Sequence, residues 1–254
     1  MSMEKTQPSG HLYLVGIGPG DPELITYKAA RILNDTSIWA VPKSKNTNGS
    51  SALQIAGGLI DASDKKILDL DFAMKKVFMG ETLDHRLLDA WRASAAEVIH
   101  YLDQGEDVVF PTLGDPTLYS TAFYLLPMIQ EKRPDVQVTV VPGITAMAAC
   151  AAGLSSPLAL GNDVLTVVPA AFDDDRLRDI LTTLDAIVLM KVHRKMDDLV
   201  ALLTELDLVD NAILFERFGL PGEKVYTDIR SALGKNLHYF STMVIRKKQI
   251  QVGQ

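Results

Sequence analysis

The stretch "LYLVGIGPGDPELIT", Leu12 to Thr26, decides the fold. An apolar run ends in Gly16, Gly18 and Gly20, and a helical pattern follows. Strand, glycine turn and helix in that order make the first half of a βαβ unit. The glycines approach the dinucleotide fingerprint G-x-G-x-x-G without matching it, because Gly20 arrives one residue early. Pro19 offers no backbone donor to a pyrophosphate. The next strand, "SIWAVP", closes on Val41 and Pro42, with no acid to hold a ribose. Two readings of the loop stand: a wall against a compact ligand, or a tight structural turn.

The same alternation continues. "ELITYKAARILNDT" carries Leu24, Ala30 and Leu33 at helical spacing, and "DKKILDLDFAM" holds a further strand. "GETLDHRLLDAWRASAAEVIHYLDQG" reads as a long amphipathic helix stopped by Gly105. "EDVVFPTLGDPTLYS" repeats the strand and glycine loop, "TAFYLLPMIQEK" reads as a helix, and "VQVTVVPG" as a strand before the small-residue helix "ITAMAACAAGL". Alternating strands and helices give a mainly parallel sheet with helices on its faces. From Gly161 the pattern restarts with "DVLTVVPA", "DAIVLMKV", "NAILFERF" and "HYFSTMVIRKK", which sets a second lobe there.

Composition narrows the function. The 254 residues are 47% hydrophobic and carry a net charge of −7. That length suits one large α/β domain or two small ones. The acidic balance disfavours nucleic acid as a partner, since phosphate neutralisation needs clustered Lys and Arg. The one cysteine, Cys150, leaves no internal disulfide and fits a reducing cytoplasm. No run reaches the about 18 apolar residues of a membrane span, and the start lacks an apolar signal core, so a soluble cytoplasmic protein is expected. His11, His85, His100, His193 and His238 show no metal-ligand spacing, and no bound metal is expected. Ser120 lacks a nucleophile elbow.

Three strand-end loops remain as carriers of chemistry. Besides the opening loop there is "TLGDPTLYST", Thr112 to Thr121, where Asp115 either caps the next helix or faces a ligand and moves protons. The third is "VVPGITAMAACAAG", where small side chains permit close approach of a flat group or serve only tight helix packing.

Together the loops resemble the tetrapyrrole methylase family, from about Leu12 to Lys247. "GIGPGDPELIT" is similar to the family's first motif, Gly114 to Pro116 to its second, and Val141 to Ala146 to its third; "AIVLMK" and "LFERFGLPGEKVYTD" resemble second-lobe elements. "DVVFPTLGDPTLYSTAFYLL" resembles the branch that methylates C20 of precorrin-2 or cobalt-factor II. Uroporphyrinogen methylases usually read Gly-Gly-Asp-Pro-Phe at "LGDPTL", and Ala73 stands where that branch usually has proline.

The resemblance implies a two-lobed α/β fold, residues 11–160 and 161–254, with S-adenosylmethionine in a cleft between the lobes and a tetrapyrrole as substrate. A homodimer is usual in the family. Pro19, Leu113, Gly114, Asp115, Leu118, Thr145, Ala146, Met190 and Phe218 match its cofactor contacts. Asp115 is the leading candidate for a base, with Tyr119 and Tyr226 orienting the substrate. Lys43, Lys45, Lys75, Lys76 and Arg194 are candidates for the substrate's carboxylates. The alternatives are a uroporphyrinogen-III or other corrin-ring methylase, or a non-catalytic binding protein.

Overall fold

A computed structural model of the protein describes residues 9–42, 50–71, 84–169 and 174–248. The chain forms two compact units, Met1–Ile144 and Thr145–Gln254.

In the first unit, β1 (Leu12–Gly16), β2 (Ile38–Pro42), β3 (Lys66–Leu70), β4 (Val108–Thr112) and β5 (Val138–Val141) form a sheet ordered β3-β2-β4-β1-β5, parallel throughout. β1, β2 and β4 are nearly continuous apolar runs because both faces are covered, whereas β3 at the edge exposes Lys66 and Asp69. One face, with Leu12, Leu14, Ile38, Ala40 and Phe110, packs against Trp91 and Val98 of α3 (His85–Leu102) and Leu125 and Ile129 of α4 (Ala122–Lys132). On α3 the buried positions Leu87, Trp91, Ala95, Val98 and Leu102 follow the helical period, and Gly105 at φ 81° ends it. The helix α1 (Tyr27–Asp35) starts where Thr26 Oγ1 accepts the Ala29 N–H, and buries Ala29, Ile32 and Leu33. Trp39 of β2 is tied to it, its indole N–H donating to the carbonyls of Leu33 and Thr36 at 3.2 and 3.1 Å. The helix α2 (Ser51–Gly57) begins at the last residue of "KSKNTNGSS", a stretch rich in Asn, Gly and Ser that reads as a loop.

Two details of the sheet position the loops. Pairing between β2 and β4 ends at Trp39 and Val109, so the strands have parted before Pro111, whose missing N–H costs no ladder bond there. The chain leaves β1 over β4 toward β2, and leaves β4 over β1 toward β5. The neighbouring carboxyl ends of β1 and β4 therefore flank a topological switch point, where open α/β sheets hold ligands.

The second unit contains α5 (Ala146–Gly153), β6 (Leu165–Pro169), α6 (Asp174–Thr183), β7 (Ala186–Met190), α7 (Met196–Glu205), β8 (Ala212–Glu216), β9 (Lys224–Tyr226) and β10 (Ser241–Arg246). The sheet order is β6-β7-β10-β8-β9; β6 and β7 are parallel and the other pairs antiparallel. One face packs Ile187, Leu189, Leu214 and Met243 against Leu177, Leu181, Leu199 and Leu203 of α6 and α7. The opposite face packs Val188, Phe215 and Val244 against Cys150 and Met147 of α5. The units divide at Ile144 and Thr145, upstream of the restart at Gly161, because α5 buries its small residues on the second sheet. Among the described residues, no helix is long and apolar enough to cross a membrane.

Close backbone contact between strand-end loops makes the first unit sensitive to single methyl groups. A Cβ on Gly143 would fall 2.1 Å from the Gly114 carbonyl oxygen. Gly143→Ala is expected to destabilise by at least about 1–3 kcal/mol in urea unfolding. Gly57→Ala, where a Cβ would meet nothing within 4 Å, should leave stability unchanged or slightly raised.

Candidate functional site

The loops after β1, β4 and β5 form one backbone assembly. The Ile17 N–H donates to the Thr112 carbonyl at 3.0 Å. Gly18 and Gly114 exchange backbone bonds, Gly114 N–H to Gly18 O at 2.7 Å and Gly18 N–H to Gly114 O at 3.4 Å. Glycine is required where the chains meet: a Cβ on Gly16 would lie 2.6 Å from the Gly143 nitrogen.

The two Gly-Asp-Pro segments share a local turn. Asp21 Oδ1 accepts the Glu23 N–H at 2.9 Å, and Asp115 Oδ1 accepts the Thr117 N–H at 2.7 Å and the Thr117 hydroxyl. They differ at the second oxygen. Asp115 Oδ2 accepts the Gly143 N–H at 2.9 Å and so ties the β4 loop to the β5 loop. Asp115 is 9% exposed. Burial works against its charge, but the Thr117 hydroxyl, the Gly143 N–H and the Thr117 N–H outweigh it and hold the carboxyl below the usual carboxylate range. Such an acid stays ionised and is a weak proton acceptor at neutral pH. Of the two roles open to Asp115, the geometry displays the structural one, and it spans two loops.

Gly114 differs from its neighbours. At φ 72° it needs glycine, yet a Cβ there would meet nothing within 4 Å. Its missing side chain faces open space, and Leu113 and Leu118 of the same loop are half-buried. Pro19 is buried. Tyr119 is 47% exposed and holds a left-handed φ of 54°, a strained conformation of the kind found at functional sites. The loop is closed at its base by Thr112 and Ser120, whose hydroxyls lie 3.0 Å apart.

In the second unit, Thr145 caps α5 through its Oγ1, which accepts the Ala148 N–H at 3.4 Å, and Ala146 opens the helix. Met190 and Phe218 join the same apolar cluster as Cys150. The Phe218 ring meets Phe215 edge-on at 5.3 Å and lies on Gly153, where a Cβ would fall 2.3 Å from Phe218 Cζ. Burial, then Glu223, pushes the Cys150 thiol up to about 12, so it packs and does not react. Tyr226 is 8% exposed in the opposite core, and its hydroxyl donates to Glu216 Oε2 at 3.2 Å. That hydroxyl orients Glu216. Arg194 is exposed in the turn after β7. Lys43, Lys45, Lys75 and Lys76 lie outside the described residues.

Residues 11–233 match the family model for tetrapyrrole (corrin/porphyrin) methylases. The chain belongs to this family. It is 32% identical over 242 residues to the cobalt-precorrin-2 C(20)-methyltransferase of Salmonella typhimurium, covering 94% of this chain and 98% of that protein. It is 30% identical over 238 residues to the precorrin-2 C(20)-methyltransferase of a Sinorhizobium species, covering 93% and 95%. Among solved structures, the methyltransferase CobJ shares the fold at a TM-score of 0.67 and 18% identity, over 96% of this chain and 98% of that one. A uroporphyrin-III C-methyl transferase from Thermus thermophilus, complexed with S-adenyl homocysteine, shares it at 0.63 and 18% identity, over 92% and 97%.

In this tetrapyrrole methylase the three family motifs are the three fastened loops. The long-range bond from Asp115 to Gly143 was not legible in the sequence, since nothing in either segment names its partner. Asp115→Asn keeps an acceptor for Thr117 but sets an amide N–H against the Gly143 N–H, an expected loss of about 1–3 kcal/mol. The folded pKa lies below the unfolded value, so the carboxylate's contribution is full above the unfolded pKa and fades as pH falls through the folded one. Chemical denaturation across pH should show a constant gap between wild type and variant at neutral pH, narrowing below about pH 4.

Proposed function

We propose that the chain transfers a methyl group from S-adenosylmethionine to C20 of precorrin-2 or cobalt-factor II in cobalamin biosynthesis. Near-full-length similarity to two C20-methyltransferases carries this reading. We assign the cofactor to Pro19, Leu113, Gly114, Asp115, Leu118, Thr145, Ala146, Met190 and Phe218. A Cβ on Gly114 would meet open space, and its chain neighbour Asp115 is an ionised carboxylate; a loop with that room and charge suits a cationic ligand. A homodimer in the cytoplasm belongs to the same proposal.

The bound cofactor supplies an electrophilic methyl group on a sulfonium. The chain's task is placement, and well-oriented reactants gain about 7–11 kcal/mol in favourable cases. Bridged loops suit that task, because Asp115 fastens its own loop to Thr117 and to Gly143 of the β5 loop. Pro19 adds a stiff, buried wall on the adjoining loop. The charge of Asp115 favours a positive ligand beside it. We therefore treat Asp115 as a positioning residue, and Tyr119, exposed at the loop tip, as the side chain that meets substrate.

Incubation with S-adenosylmethionine and either precorrin-2 or its cobalt complex should add one methyl group at C20, read by mass spectrometry and NMR. Two methyl groups added to uroporphyrinogen, or none to any of these, would overturn the reading. Asp115→Asn should weaken cofactor binding about tenfold while the pH profile of kcat keeps its shape. Loss of a limb of that profile would restore Asp115 as the base.

A further inference from the structure

Basic side chains converge in the second unit at the start of β10. Lys191 follows β7 and Arg217 follows β8, and in the sheet only β10 separates those strands. Both residues have left-handed backbones, φ 64° and 55°, although neither is glycine. Both turns are fastened to consecutive carbonyls of one segment: the Lys191 N–H donates to Ser241 O and the Arg217 N–H to Phe240 O, each at 2.7 Å. Two cations are thus rooted on either side of Phe240 and Ser241.

Further side chains close around the same segment. The His193 ring meets Tyr239 edge-on at 5.4 Å, and Lys191 Nζ lies 5.2 Å from the centre of that ring. His238 Nδ1 accepts the Phe240 N–H at 3.1 Å. Burial first, then Arg217 and His193 against Glu216, hold the His238 imidazole below its usual range; burial chiefly does the same for His193, with Arg194 and Lys191 adding to it against a bond to the Lys191 carbonyl.

The nearby carboxylates are engaged elsewhere. Glu216 accepts the His238 N–H at 2.7 Å and the Tyr226 hydroxyl, with Lys224 Nζ at 3.7 Å. Glu223 accepts the Gly219 N–H at 2.8 Å. Among the described residues, Arg217 Nε and Ser241 Oγ are buried polar atoms with no hydrogen-bond partner. A buried guanidinium N–H without an acceptor calls for an anion.

We propose that Lys191, His193, Arg217 and His238 form a carboxylate-binding site around the Phe240–Ser241 segment, which takes an acetate or propionate side chain of the tetrapyrrole. The proposal rests on the tetrapyrrole substrate assigned above. It adds a cluster of described residues to the anchoring of that substrate. Arg217, and the Nε2–H of His238 whose Nδ1 accepts the Phe240 N–H, give a carboxylate directional, charge-assisted hydrogen bonds, with Lys191 adding charge and His193 packing beside them.

The test uses factor II, the metal-free polycarboxylate tetrapyrrole, with binding followed by absorbance and cofactor binding by calorimetry. Arg217→Gln and His238→Asn should each raise the Kd for factor II about tenfold or more at low ionic strength. S-adenosylmethionine affinity should stay within about twofold, and salt should weaken factor II binding less in the variants than in wild type. Asn at 238 keeps an acceptor for the Phe240 N–H, so that variant carries the test if Arg217→Gln does not fold. Unchanged factor II affinity with full salt dependence would overturn the proposal, and so would a parallel loss of cofactor affinity, which marks a structural role. Wild type that binds the cofactor but neither factor II nor its cobalt complex would instead refute the tetrapyrrole reading, and this site with it.

Discussion

The Asp115 carboxylate is the point on which the first unit's strand-end loops depend. One oxygen shapes its own turn through Thr117, and the other reaches Gly143, 28 residues away. The reach is short because glycines at 16, 114 and 143 let three backbones approach where side chains would collide. Each feature needs the others. Without the glycines the loops cannot meet; without the carboxylate the Gly143 N–H loses its acceptor. The exchanged bonds between Gly18 and Gly114 extend the same fastening to the β1 loop. A group of loops tied in this way can hold a ligand in one orientation, which is what a displacement reaction between two bound molecules requires.

The second unit solves a different problem with similar means. Its sheet is mixed, and β10 runs antiparallel to both neighbours. The start of β10 therefore lies beside the ends of β7 and β8, where Lys191 and Arg217 turn left-handed and clamp onto it. The opposite face buries Phe215, Phe218 and α5 together, with Gly153 making room for the Phe218 ring. Apolar contacts and cations thus sit at one end of one sheet. Among the described residues, Glu216 is the buried carboxylate there, and its bonds to His238 and Tyr226 fix the approach to β10.

Much of this was legible beforehand. The apolar runs ending in glycine gave the parallel strands, and the helical periods of α1 and α3 gave their buried faces. The three loops were singled out as carriers of chemistry, and they do meet. Other features left weaker marks. The short β9, Lys224–Tyr226, has no alternating pattern to announce it. Nothing around Tyr226 in the sequence announces that its ring lies in the core and its hydroxyl on Glu216. The "GITAMAACAAGL" helix looked continuous with the first lobe because it follows β5 directly; packing on Val188, Phe215 and Val244 assigns it to the second unit.

The sequence by itself determined the alternation of strands and helices, the family, and which loops carry the family's motifs. These follow from local causes: side-chain period, capping hydroxyls, and glycine or proline where the backbone must bend. Only the tertiary structure decided that Asp115 bridges two loops, that Tyr226 turns inward, and that Lys191, Arg217 and His238 share one segment of β10. Those facts depend on which strands lie side by side, and adjacency between separate strands is set by burial of whole faces, not by any local pattern.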